Sequence, residues 1–168
     1  GKADFLLLLF SNTFEDMANL SKGAATRQHI IQEARAVFNE YGIDITINHL
    51  AKKLGVPRSR ISNHFSRKDS LFLAIIEEYE KEYTAILSKM ATWEEEASLQ
   101  NYVNTLWEVM DIQYKYRCSS IYLNVLSPSQ HEVKKQIRAN YRKNLELIRT
   151  RMEKMVEQKL IEPSVMSN

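Results

Sequence analysis

The sequence predicts an all-α chain, and three observations carry that prediction. Four glycines and three prolines among 168 residues are too few for the many turns of a sandwich or barrel. Apolar residues recur at three- and four-residue spacings along most of the chain, the period of an amphipathic helix. No segment offers a convincing strand pattern.

The elements follow in order. Ile30, Ile31, Ala34, Val37, Phe38 and Tyr41 form a wide apolar stripe on one helix, and Gly42 ends it, because glycine adopts the left-handed conformation of a helix terminus at little cost. Thr46 reads as the N-cap of a second helix carrying Ile47, Leu50, Ala51 and Leu54. Gly55 stops that helix after barely two turns. Val56-Pro57 restarts the chain, with Ile61 and Phe65 as the inner face of a third short helix. Ser66-Arg-Lys-Asp69 has the shape of a capping box and opens a fourth helix. Its stripe runs through Leu71, Phe72, Ile75, Ile76, Tyr79, Tyr83, Ile86, Leu87 and Met90. Further helices are expected from about Ser98 to Tyr116 and from Ser119 to Leu126, broken by Ser127-Pro128-Ser129. A last long helix turns Val133, Ile137, Tyr141, Leu145, Ile148, Met152 and Met155 inward, and Pro163 closes it.

Net charge is only +2, but it is unevenly placed. Lys22 to Lys68 holds nine Lys/Arg against three Asp/Glu, a local +6 that leaves −4 for the remainder. Such asymmetry marks a basic module that meets polyanions. Cys118 is the sole cysteine, so no disulfide forms within the chain, which fits a reducing compartment. No apolar run reaches the length of a membrane span. Phe5 to Phe10 is apolar like a signal-peptide core, but it is short and has only Lys2 before it. The expected location is cytoplasmic, with no membrane partner.

Two short helices joined by a tight glycine turn and packed on a longer one make a helix-turn-helix. In that motif the second helix enters the DNA major groove. Ala51 and Gly55 permit the close crossing, while Leu50, Leu54, Val56 and Ile61 fill the core. Arg58, Arg60, Asn63 and His64 are left facing outward, and Arg and Asn are the types that read guanine and adenine edges. Thr26 to Phe72 resembles the DNA-binding domain of TetR/AcrR-type bacterial transcriptional regulators. The matching features are Ala34, Phe38-x-x-x-Gly42, Thr46, Leu50-Ala51, Gly55-Val56 and Phe65-x-x-Lys68-Asp69-x-Leu71. The resemblance implies phosphate contacts from Thr46 and Lys68. It also implies base readout by the helix from Arg58 through Ser59 and Arg60 to Asn63 and His64. Pro57 and Ser62 depart from the family's usual serine and tyrosine.

The expected domains are an apolar extension (1–21), the helix-turn-helix domain (22–70), and a helical ligand-binding and dimerisation domain (71–168) that is short at its C-terminal end. Residues 114–126 and the final long helix are similar to the C-terminal helices of one TetR subgroup. Trp107, Met110, Tyr114, Tyr122 and Tyr141 are candidate pocket residues, with Asn104 and Asn124 as polar partners, although aromatics at helical spacing also serve as plain core. No G-x-S-x-G, H-E-x-x-H, C-x-x-C or G-x-x-x-x-G-K pattern occurs, so neither catalysis, a cofactor nor a metal site is expected. The resemblance implies a ligand-responsive repressor that binds a palindromic DNA operator as a homodimer and releases it when a small-molecule effector binds. The alternative is a DNA-binding protein of the same fold controlled by a protein partner, or acting architecturally, without an inducer. The segment Ala3 to Leu20 is expected to form a helix buried against the regulatory half or a partner subunit, or else to be an unstructured leader.

Overall fold

The computed structural model describes the backbone of residues 2–91, 98–125 and 131–166, and the side chains of residues 22–89, 98–125, 134–135 and 137–164. Among these residues the chain is all-α. Its seven α-helices are α1 (Lys2–Tyr41), α2 (Ile47–Leu54), α3 (Arg58–Ser62), α4 (Lys68–Ala91), α5 (Leu99–Lys115), α6 (Arg117–Val125) and α7 (His131–Glu157), and a 3-10 turn follows at Pro163–Met166. Two compact units divide the chain, Gly1–Leu71 and Phe72–Asn168. No helix among the described residues is long and apolar enough to cross a membrane.

The first unit differs from the sequence expectation at both ends. The segment Ala3 to Leu20 is not a separate element before the first helix: α1 is continuous from Lys2 to Tyr41. What its apolar side chains pack against lies outside the described residues. The core of the unit is Ile30, Ile31, Ala34 and Phe38 from α1, with Leu50, Ala51, Ile61, Phe65 and Leu71. Tyr41, expected on the inner stripe, is 47% exposed and lies beneath the Lys53 ammonium, 3.3 Å from its ring centroid.

Both glycine stops act through positive φ. Gly42 (φ 89°) donates its N–H to the Phe38 carbonyl, closing α1 with a single bond. Gly55 (φ 63°) donates to Lys52, and Val56 donates to Ala51, which together form a Schellman motif. Thr46 caps α2 by accepting from the His49 N–H at 3.2 Å. The opening of α4 is a correction. Its first residue is Lys68, so the helix begins one residue later than a cap at Ser66 requires. Ser70 Oγ instead accepts from the Arg67 N–H at 3.3 Å and donates to the Arg67 carbonyl at 2.6 Å. That is the returning half of a capping box, moved along by one residue.

In the second unit Phe72, Ala74, Ile75, Ile76, Ile86 and Leu87 of α4 are buried, as are Ile112, Tyr116, Cys118, Tyr122 and Met155. Phe72 and Tyr122 stack with centroids 4.1 Å apart. Glu82 ties α4 to the end of α5. Its carboxylate accepts from Lys115 Nζ at 2.8 Å and from the Tyr116 hydroxyl at 2.6 Å. The long last helix buries the stripe expected of it only in part: Ile137, Ile148 and Met152 are half-buried. Tyr141 and Leu145 are exposed, while Asn144 is only 4% exposed and Met155 is buried. At this point α7 is turned by about one residue, so that Asn140 can hydrogen-bond Glu80 on α4. Val133 lies outside the described side chains.

Candidate nucleic-acid interface

The third helix is a single turn and a half. It begins after Pro57, which occupies the N-cap position in extended geometry (φ −61°, ψ 143°) and offers no side-chain cap. Proline carries the extended conformation a cap needs, but no oxygen to accept from the first turn. Phe65, expected on the inner face of this helix, lies beyond its end. Its N–H still donates to the Ile61 carbonyl at 2.9 Å, its ring is buried, and the Arg27 guanidinium sits 5.0 Å above it.

Ile61 is fully buried, and it sets which side of α3 faces out. At about 100° per residue, Ser59 and Asn63 stand opposite Ile61, and Arg60 flanks them. Arg58, Ser59, Arg60 and Asn63 are exposed, and His64, close to the Ile61 line, is half-buried. Asn63 keeps helical geometry (φ −66°, ψ −23°) as the C-cap. Ser62, which stands where a tyrosine is usual, directs its hydroxyl to the Ser59 carbonyl at 3.4 Å.

The two expected phosphate residues also have structural duties. Thr46 is exposed and its oxygen caps α2, which leaves its hydroxyl proton for another acceptor. Lys68 is half-buried, and its Nζ donates to the Ile43 carbonyl at 2.9 Å. It thereby ties the start of α4 to the loop between α1 and α2. An ammonium has three donors, so this bond does not exhaust it.

The family model for bacterial regulatory proteins of the tetR family matches residues 30–75. Over this stretch the chain resembles the DNA-binding domain of the TetR family. A transcriptional repressor of the helix-turn-helix type from Mycobacterium tuberculosis is 39% identical over 67 residues, covering 39% of this chain and 36% of that protein. The repressor AcnR of Corynebacterium diphtheriae is 42% identical over 53 residues, 31% of this chain and 28% of its own length. The aligned stretches thus span about a third of each repressor. A crystal structure of a TetR-family transcriptional regulator from Marinobacter aquaeolei superposes with a TM-score of 0.73 at 26% identity, covering 82% of this chain and 67% of that one. The tetR-family match therefore rests on α1 to α4, and the fold likeness extends well beyond them.

In the second unit the five candidate pocket residues differ in burial. Tyr122 is buried against Phe72, whereas Trp107, Met110, Tyr114 and Tyr141 are exposed. Asn104 accepts from Gln100, and Asn124 donates to the Ser120 carbonyl, so both amides bond within their own helices. Two clefts are lined by other residues. One of about 450 Å³ runs along Lys134, Lys135, Arg138, Ala139 and Arg142. The other, about 290 Å³, lies between Glu80, Lys81 and Thr84 of α4 and Asn140, Lys143 and Asn144 of α7.

Glu80 of the smaller cleft and two tyrosines of α4 carry the shifted titrations among the described residues of this unit. Burial pushes the Glu80 carboxyl above the usual carboxylate range, opposed by the Asn140 hydrogen bond. Its Oε2 is buried with no hydrogen-bond partner among the described residues. Burial also raises the Tyr83 hydroxyl, helped by Tyr141 and Glu80. Tyr79 is pushed up to about 12 by burial, then by Tyr83 and Glu80, against a hydrogen bond with Gln113. None of Glu80, Asn140 and Asn144 stood out in the sequence. The available signal was two asparagines four residues apart, beside the apolar stripe of a long helix.

Proposed function

We propose that this chain is a TetR-family DNA-binding transcriptional repressor of the bacterial cytoplasm. It acts as a homodimer on a palindromic operator, and its affinity responds to a small molecule held by the second unit. The observation that carries the reading is the outward face of α3, where Ser59 and Asn63 stand opposite the buried Ile61, between Arg58 and Arg60. Asparagine pairs with adenine and arginine with guanine in the major groove, while serine accepts either role. Thr46 and Lys68 are the proposed phosphate contacts that hold the helix in register. In a two-fold dimer the two copies of α3 lie about 34–36 Å apart, matching successive major grooves. An effector acts by favouring a conformation with a different spacing.

Selection of bound duplexes from random DNA tests this reading. A two-fold symmetric site bound at least about a thousandfold more tightly than random sequence supports it. Equal affinity for all duplexes overturns it.

A second reading, control by a protein partner, is favoured by one specific feature. Val103, Leu106, Trp107, Met110 and Tyr114 of α5 recur at helical spacing and are all exposed. A contiguous apolar surface of this kind marks an interaction site. Sedimentation of the purified chain distinguishes the two: a dimer at micromolar concentration assigns the stripe to a second copy, and a monomer assigns it to another protein.

A further inference from the structure

We propose that Arg27 of α1 is a further DNA contact, gripping a backbone phosphate beside the C-terminal end of α3. This rests on the DNA-binding reading of the first unit and extends its interface to a helix outside the α2–α3 pair.

Arg27 occupies the position of a core residue. It precedes Ile30, Ile31, Ala34 and Phe38 by three, four, seven and eleven residues, so it continues the buried line of α1 by one turn. Yet Arg27 is exposed. Its guanidinium lies over the buried Phe65 ring, 5.0 Å from the centroid, an arrangement that holds the planar fork against the aromatic face. Phe65 follows the last residue of α3 by three, and its N–H bonds to the Ile61 carbonyl. The charge is thereby pinned at the end of the helix proposed to read bases.

Covering Phe65 requires no charge. A methionine at this position would shield the ring as well, so the guanidinium is surplus to the fold. The stretch that carries the ring, Ile45 to Lys68, holds six Lys/Arg and no Asp/Glu. A further cation beside it adds repulsion until a polyanion arrives. Among the described residues the Arg27 guanidinium has no hydrogen bond or ion pair. Its five N–H donors therefore remain available, in a fork that matches two phosphate oxygens. The partner is a phosphate rather than a base, because the fork projects from α1 and not from the helix proposed to enter the groove.

The experiment compares Arg27→Met, which keeps the cover over Phe65, and Arg27→Lys, which keeps the charge, with the parent chain. Binding to the selected operator and to random duplex is measured across a salt series, with chemical denaturation in parallel. Arg27→Met should unfold no more easily than the parent and should weaken binding to both duplexes alike. It should also flatten the log–log salt dependence by about one unit per half-site, whereas Arg27→Lys should keep the parent's slope. A scan of single neutral methylphosphonate linkages through the operator should find one position per half-site that weakens the parent and leaves Arg27→Met unaffected. The slope and the scan decide, not the stability. A parent-like slope for Arg27→Met, or a scan without such a linkage, makes Arg27 a cover for Phe65 and overturns this proposal alone. A parent chain that binds no duplex overturns the DNA-binding reading together with it.

Discussion

Asn63 stands opposite Ile61 on α3, so its truncation tests base readout with little effect on the core. Asn63→Ala and Arg60→Ala are each expected to weaken operator binding by about 1–3 kcal/mol and to relax sequence preference at one position. Equal weakening on operator and random duplex would make the residue a phosphate contact instead. Lys68 has a structural bond and a proposed phosphate contact, so Lys68→Ala should show two effects. Loss of the bond to the Ile43 carbonyl should lower unfolding stability by about 1 kcal/mol. Loss of a phosphate contact should flatten the log–log salt dependence of binding by about one unit per half-site. A stability loss with an unchanged slope confines Lys68 to the fold. Glu80 titrates against folding. Its carboxyl is raised in the folded state by burial, so the native chain holds that proton more tightly than the unfolded chain does. Its contribution is therefore most favourable below the ordinary carboxylate pKa and is lost as pH rises through the raised value. Glu80→Gln should raise the melting temperature at pH 7, and the gain should vanish below about pH 4.5, the ordinary value. A constant difference at every pH would show that the carboxyl is not the cause.

At the scale of elements, the turn between α2 and α3 decides whether the outward face of α3 is presented at all. Gly55 is left-handed at φ 63°, yet a methyl group built there meets nothing within 4 Å. The cost of Gly55→Ala is therefore conformational rather than steric, about 1 kcal/mol. Gly55→Asn should cost less, because asparagine tolerates this region. Chemical denaturation checks both, and a much larger loss for alanine would point to a contact other than the turn. The shortness of α3 has the same local origin. Pro57 starts it without a side-chain cap, and by Asn63 the chain is already turning so that Phe65 can enter the core.

For the whole molecule, α5 carries apolar side chains on both its inner and its outer face. Thr105 and Ile112 face inward, while Val103, Leu106, Trp107, Met110 and Tyr114 face out. In the proposed homodimer that outer stripe is buried against the second copy. Trp107→Glu places a charge in the middle of it, and burial of an unpaired charge is costly. The variant should sediment as a monomer and bind single half-sites with unchanged base preference. A dimer of undiminished stability would remove the stripe from the interface. The same pairing explains why operator affinity should depend on protein concentration.

Much of the helix-turn-helix was legible in the sequence because its signals are local. Gly42, Thr46 and Gly55 act through backbone geometry and hydrogen bonds within five residues, so their roles can be read without knowing the rest of the chain. The face of α3 follows from Ile61 alone. The second unit was less legible, because burial is set by neighbours distant in sequence. Periodicity placed Ile148, Met152 and Met155 on one line of α7, but two adjacent faces competed further up the helix. Only the packing of α7 on α4 chose Asn140 and Asn144 over Tyr141 and Leu145, because Glu80 lies across from them and a half-buried carboxylate requires a donor. The local chemistry of the chain determined its helices, most of their ends and the residues proposed to meet DNA. Tertiary structure decided which polar groups share a cleft and which apolar ones remain on the surface, since these depend on what each helix meets.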